Sequence, residues 1–358
     1  MPCQRPTGQG NIGIHSRKDK RFVCTECHKT FSATKGTTFY RLRTAAETVT
    51  LVVTLLAHGC PPQAIVAAFG FDERTVMRWM ARGGGQGQAV QEHLVEQPRD
   101  LGQVQADEIR VKKQGGIVWM ALAMMVQTRL WVAGEVSEQR DLPLIRRLIE
   151  RVKRCAARRP LLVCTDGLVS YIRAIRETFR DPVPTGKAGR PRLRPWRNVL
   201  IAQVVKRYER RRVVETDRRI IDGTPARVET LRRRSHGDGV INTAYIERLN
   251  ATFRERLAPL ARRSRALARH TLTLQHGMYL IGTVYNFCTP HASLDLATLG
   301  TGMRCVQQTP AMAAGITDHC WSVRELLSYH VPPPRWTPPK QRGRPSRALR
   351  RLIERWCS

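Results

Sequence analysis

The chain has 358 residues, and its 61 Lys and Arg against 29 Asp and Glu give a formal charge of +32. That length supports a sizeable core and more than one domain, and so large an arginine excess predicts a polyanionic partner, with nucleic acid as the default. The longest apolar run, residues 117–126, falls well short of the roughly 18 residues a membrane span needs, and the polar, basic N-terminal region lacks the apolar core of a secretory signal, so a cytoplasmic protein is expected.

Residues 1–42 are polar and glycine-rich and hold one tight motif, Cys24-Thr-Glu-Cys27. Three short helices follow. The first covers residues 46–57 and ends at Gly59. The second is opened by Pro61-Pro62 and broken by Gly70. The third, residues 73–82, is capped by Asp72. Gly83-Gly84-Gly85-Gln86-Gly87 then reads as a flexible joint. Helix, helix, glycine turn, helix is the helix-turn-helix plan, which assigns residues 43–90 to a small all-α DNA-binding domain.

From residue 100 the pattern becomes α/β. Strand-like runs at 103–112, 117–126 and 130–137 precede a helix at 142–156, where Leu144, Ile145, Leu148, Ile149 and Val152 recur at helical spacing. A strand at 161–165 and a helix at 168–179 come next. Three hairpin strands, a crossover helix, a fourth strand and another helix make up the RNase H-like order, so residues 100–300 are expected to form a mixed-sheet α/β domain. Residues 182–195 form a basic proline- and glycine-rich loop, 199–222 alternate as strands, and helices are expected at 243–260 and 270–285. Residues 301–358 read as a basic helical or extended tail, its proline-rich part after Val331 extended or disordered.

Three acids stand out. Asp107 closes the run Val104-Gln105-Ala106-Asp107, Asp166 closes Leu161-Leu162-Val163-Cys164-Thr165-Asp166, and Glu247 lies on the helix that starts near Thr243. Phosphoryl transfer on DNA charges both the attacking and the leaving oxygen, and two divalent ions about 3.5–4 Å apart stabilise both. Magnesium prefers carboxylate oxygen, and strand ends of an α/β sheet bring distant carboxylates together. On the helical wheel Ile246, Leu249, Phe253 and Leu257 form an apolar stripe. Glu247, Asn250 and Arg254 lie along one edge of it, while Glu255 falls on the far side. Strand-end aspartates are also common turn residues, and Glu108 rivals Asp107, although it should point to the opposite face of a continuing strand.

These residues resemble those of the DDE transposases of bacterial insertion sequences, which share the RNase H-like fold of retroviral integrases. The likeness rests on Gln105-Ala106-Asp107-Glu108, Thr165-Asp166-Gly167, Asn242-Thr243-x-x-Ile246-Glu247-Arg248-x-Asn250-x-x-x-Arg254 and Tyr285-Asn286-x-x-x-x-His291-x-Ser293-Leu294. It covers most of residues 20–330, with an insertion at about 182–235. The resemblance implies that Asp107, Asp166 and Glu247 hold two Mg2+ or Mn2+ ions. It also implies nicking of an element end, in-line attack of the freed 3′-OH on target DNA, and synapsis by a homodimer or larger oligomer. Double-stranded DNA, as terminal repeats and as target, is the expected partner. A metal-dependent nuclease or resolvase on the same fold, or an inactive helix-turn-helix regulator, remain the alternatives.

In the helix-turn-helix, Arg74, Thr75, Arg78 and Arg82 would face the major groove, with Val76, Met77 and Trp79 or Met80 packed inward. Asn250 and Arg254 would contact phosphate beside the metals. Cys24 and Cys27 have half the spacing of a zinc knuckle, with Cys3 as a third ligand and His15 or His28 as a fourth; two free thiols in a polar loop are the other reading. Arg342-Gly343-Arg344-Pro345 and Gly189-Arg190-Pro191-Arg192 resemble AT-hook cores, in which Arg344 would enter a minor groove, though a solvated basic linker fits equally. Arg210-Arg211-Arg212 and Arg232-Arg233-Arg234 would follow the DNA backbone.

Overall fold

The computed structural model describes residues 12–25, 28–183, 191–210, 212–235, 239–261, 267–297, 305–332 and 343–356, in two units: residues 44–327, and the terminal segments 1–43 with 328–358. In the terminal unit β1 (Ile12–Ser16), β2 (Arg21–Cys24) and β3 (Thr30–Ser32) form an antiparallel sheet. The turn after β2 closes on Cys24, whose carbonyl accepts from the His28 N–H and whose own N–H donates to the Lys29 carbonyl. The expected extended tail contains a helix, Arg347–Trp356. Leu349, Leu352, Ile353 and Trp356 recur there at helical spacing, a pattern partly hidden by the arginines among them.

The large unit opens with α1 (Ala46–Ala57), α2 (Pro62–Phe69) and α3 (Glu73–Val90). Gly70, at φ 68°, ends α2 in the left-handed conformation that glycine adopts without a Cβ clash. The Asp72 carboxylate caps α3 by accepting from the N–H groups of Arg74 and Thr75. The glycines expected to form a flexible joint are instead the second half of α3. A Cβ on Gly84 would lie 2.3 Å from the His276 carbonyl oxygen, and one on Gly87 would lie 2.9 Å from that of Tyr279. These glycines let α3 cross a later helix at backbone distance. Gly85, on the opposite side, meets nothing within 4 Å.

Beyond a π-helical turn, Gln91–Val95, comes a six-stranded mixed sheet. Its strands are β4 (Gln103–Lys113), β5 (Gly116–Met125), β6 (Trp131–Ser137), β7 (Leu161–Asp166), β10 (Val199–Glu209) and β11 (Arg212–Asp222), ordered β11-β10-β7-β4-β5-β6. β4, β7 and β10 run parallel; β5, β6 and β11 are added antiparallel. A separate hairpin of β8 (Arg180–Val183) and β9 (Arg192–Pro195) precedes β10. The longer helices that follow are α4 (Leu142–Cys155), α5 (Val169–Thr178), α6 (Pro225–Arg234), α7 (Ala244–Arg256) and α8 (Thr271–Cys288), with two short helices, Pro310–Ala313 and Val323–Ser328, after them. α7 stops before the expected end because Pro259 disfavours helical backbone at the residue before it; a short 3-10 turn, Ala258–Leu260, follows.

Alternation on β4 and β5 decides which helices pack on which face. Ile109, Val111, Val118, Met120, Leu122 and Met124 are buried in one cluster with Ile246, Leu249, Phe253 and Leu257 of the α7 region and Met278 and Tyr279 of α8. Truncating a side chain such as Phe253 to Ala would cost about 3–5 kcal/mol. No helix among the described residues is long and apolar enough to cross a membrane.

The two neighbouring glycines of α3 should respond with opposite signs. Gly85→Ala, in open space on a helix, should raise stability by about 0.5–1 kcal/mol. Gly84→Val should lower it by at least about 1–3 kcal/mol through overpacking against the His276 backbone. Thermal denaturation of the two variants checks this; equal and small effects would instead fit a flexible joint.

Candidate functional site

β7 is shorter than the strands on either side of it. Its pairing with β4 ends at Ala106–Thr165 and its pairing with β10 ends at Val204–Asp166, while both neighbours run on. Asp107 is therefore not at a strand end, as the sequence implied. It lies within β4, at the first position past the last β7 partner. The result is a notch in the sheet, with Asp166 at its base, Asp107 and Glu108 on one wall and Lys206 of β10 on the other.

The alternation of β4 sends its two acids to opposite faces, as expected. Asp107 shares a face with Ile109 and accepts a hydrogen bond from Asn250 Nδ2 on α7 at 2.8 Å. Glu108 lies on the other face, where its side chain is fully buried and one oxygen, Oε2, accepts from both Nε (3.0 Å) and Nη2 (2.8 Å) of Arg140. Asp166 reaches the gap between them. Its Oδ1 accepts from the Leu168 N–H at 3.0 Å, and its Oδ2 accepts from Arg140 Nη2 at 3.3 Å. Oxygens of Asp107, Glu108 and Asp166 lie within 4.8 Å of one another and could hold a metal ion.

Glu247, the third acid expected, lies outside that group. It is on the first turn of α7 on the Asp107 face, with its side chain 47% exposed, and Oε1 accepts from Lys206 Nζ at 2.5 Å and Thr243 Oγ1 at 2.8 Å. Its charge still reaches Asp107. Burial first, then the Glu108 carboxylate, with Asp166 and Glu247 adding, pushes the Asp107 carboxyl up to about 6 against the pull of the Glu108 N–H. Burial, with Asp166 adding, likewise raises Glu108, opposed by the Tyr171 hydroxyl and then by Arg140. The buried Tyr171 hydroxyl is close enough to perturb Glu108. Yet neither it nor Glu108 Oε1 has a hydrogen bond of normal geometry among the described residues. An all-carboxylate donor set with an excess of negative charge suits a hard divalent cation. Asn250 Oδ1 adds a buried acceptor without a partner among the described residues.

α7 is held over the notch by Gln105, two residues before Asp107 and fully buried. Its Oε1 accepts from the N–H groups of Tyr245 and Ile246, and its Nε2 donates to the Asn242 carbonyl at 2.7 Å. A side chain from β4 thus caps the helix, and Thr243, at the N-cap position, turns its hydroxyl to Glu247 instead. Asn250, expected to meet phosphate, is buried and occupied with Asp107, so it positions an acid. Arg254 is half-buried on the same helix. His291 packs edge-on against Tyr285 at 4.7 Å and is not part of the acidic group. Asn286 is structural: its amide brackets the backbone of Trp131.

Of the remaining candidates, Arg74 and Arg78 are exposed on α3, whereas Thr75 and Arg82 are half-buried; Val76, Trp79 and Met80 are buried, and Met77, also expected inward, is only half-buried. Cys24 is buried at the end of β2, and Cys3 and Cys27 lie outside the described residues, as do Arg190, Arg211 and Arg342. Arg344 is exposed beside Gly343. Reading the sequence alone missed Arg140, Lys206 and the anchoring role of Gln105. Each acts through a contact across the fold that no local pattern signals.

No protein-family model matches the sequence, and no curated protein matches it.

The raised Asp107 carboxyl makes a pH prediction. A carboxyl held at about 6 when folded, against 3.8 normally, takes up a proton on folding between those values, so stability falls as pH rises through that window. Asp107→Asn, measured in chelator by thermal denaturation, should be more stable than the parent at pH 7.5, on the order of 1–3 kcal/mol. The difference should fade toward pH 4. An Asn variant less stable than the parent at pH 7.5 would contradict the crowding of charge.

Proposed function

We propose that the chain is a DNA transposase of the DDE type, whose catalytic unit is RNase H-like and uses divalent metal held by Asp107, Asp166 and Glu247. The observation that carries this reading is the notch, where carboxylates of two adjacent parallel strands converge beneath the first turn of α7. The sheet order β6-β5-β4-β7-β10, with its antiparallel first hairpins and parallel core, agrees with the RNase H-like expectation. The charge of +32 supplies the field for a polyanion.

Of the two rivals for third ligand, Glu247 is favoured over Glu108. One oxygen of the buried Glu108 carboxylate is held by Arg140 from the opposite face of β4, whereas Glu247 is exposed and held by side chains that can release it. A divalent cation bound here would supply the charge that the attacking and leaving phosphate oxygens need. Asn250 then keeps Asp107 turned to the cleft, and the Leu168 N–H fixes Asp166. Lys206 stands at the edge of the site, where its ammonium can move from Glu247 to a substrate phosphate. The reaction is hydrolysis at an element end followed by attack of the freed 3′-OH on target DNA.

DNA would lie along the basic surfaces around the notch. The β10–β11 ribbon continues past the end of β7 and carries the exposed Arg207, Arg210 and Arg212. On α3 the exposed Arg74 and Arg78 are the groove-reading candidates of a helix-turn-helix made by α1 to α3. A zinc site at Cys3, Cys24 and Cys27, a minor-groove contact by Arg344 and a synaptic oligomer belong to the same reading.

The test uses duplexes from the DNA flanking the coding sequence. With Mg2+ the parent should nick and join them, and Asp107→Asn, Asp166→Asn and Glu247→Gln should each lose at least about 100-fold, whereas Glu255→Gln should not. Cleavage without joining would point to a nuclease, and cleavage by the Asp variants would remove the metal site from the mechanism. Arg78→Ala should weaken end binding by about 1–3 kcal/mol while cleavage at saturating DNA persists; unchanged affinity would exclude α3 from recognition.

A further inference from the structure

Behind the proposed metal ligands lies a second polar network. Arg140 sits in the loop between β6 and α4, next to Asp141, which caps α4 through the Leu144 N–H. Its guanidinium is fixed on three sides. Nε and Nη2 converge on Glu108 Oε2, Nη2 also meets Asp166 Oδ2, and the plane lies over the Trp119 ring at 5.0 Å. Nη1 has no hydrogen-bond partner among the described residues, and the side chain is 35% exposed. Glu108, in contrast, is fully buried and spends one oxygen on Arg140 alone.

From this geometry we infer that Arg140 is a further catalytic residue, whose free Nη1 edge takes a non-bridging oxygen of the scissile phosphate. Glu108 is the positioning residue that holds it there and is not a metal ligand. A planar guanidinium pinned along one edge presents the other in a fixed direction, which is what a charge developing in a transition state requires. A buried carboxylate is a suitable anchor, because breaking its pair would leave an uncompensated charge, and the pair therefore persists. Oε2 is committed in this way, so the buried Oε1, without a hydrogen-bond partner among the described residues, is all that Glu108 could offer a metal ion. Asp107 and Asp166, partly exposed and held mainly by neutral donors, keep their outward lone pairs. This inference rests on the metal-dependent reading above, but its test separates from it.

The experiment titrates full-length protein with Mn2+, following the free-ion signal by electron paramagnetic resonance, and then measures single-turnover and steady-state cleavage. Glu108→Gln, isosteric and still able to accept from Arg140, should bind Mn2+ within about 3-fold of the parent, whereas Asp107→Asn and Asp166→Asn should bind at least about 10-fold more weakly. Arg140→Lys, which keeps the charge but not the fork, should lower kcat by at least about 10-fold with KM for DNA within about 3-fold. The double variant Glu108→Gln/Arg140→Gln, which buries no lone charge, should fold and bind Mn2+ yet show the same kcat defect. Loss of Mn2+ binding in Glu108→Gln, or a parental kcat in Arg140→Lys, overturns the inference and leaves the transposase reading intact. Parental Mn2+ binding by the two Asp variants overturns that reading instead.

Discussion

The site depends on one constraint, a strand that stops before its neighbours do. β7 ends at Asp166 while β4 and β10 continue on either side. In a sheet without that gap, residues at the level of Asp107 would have a strand beside them and no room for a ligand. With it, the last side chain of β7 meets two side chains of β4 across open space. The same gap lets Lys206 on β10 reach Glu247 on α7. Burial first, and then the like charges gathered in this way, raise the Asp107 carboxyl, so at neutral pH its ionised form opposes folding. A divalent ion is the simplest source of a counter-charge.

The second requirement is that α7 stay in place above the gap, and a single buried amide provides it. Gln105 caps two N–H groups of a helix far along the chain and satisfies the Asn242 carbonyl as well. Each of these groups, left buried and unpaired, would cost about 1–3 kcal/mol. The apolar stripe of Ile246, Leu249 and Phe253 then fixes the rotation of α7, which turns Asn250 onto Asp107 and leaves Glu247 at the rim. Strand, anchor and helix together convert three distant stretches of sequence into one surface.

Much of this was legible from periodicity. Most strands and helices between 103 and 288 lie close to where alternation and helical spacing put them, because one face of each is buried against the core. The hairpin β8–β9, read as part of a loop, and α6, which was not expected, carry too many prolines and arginines to show that pattern. The opposed faces of Asp107 and Glu108 followed from the same rule. What the sequence hid is tertiary in origin. The glycines of α3 looked like a hinge because local propensity favours one; only the close approach of α8 makes them helical. The cap of α7 could not be read locally, because Gln105 supplies it from a distant strand. Arg140 carried no pattern at all, since its partners Glu108, Asp166 and Trp119 are brought together by the sheet.

The proposed divalent cation would lie in the notch between two strands, with α7 supplying the third carboxylate. Anomalous scattering from crystals of the full chain soaked in Mn2+ tests it most directly. The expected result is a peak in contact with both Asp107 and Asp166, with the Glu247 carboxylate turned from Lys206 toward the ion and Glu108 still on Arg140. No peak in the notch at saturating Mn2+, or an ion held by Glu108 with Asp107 turned away, would contradict it.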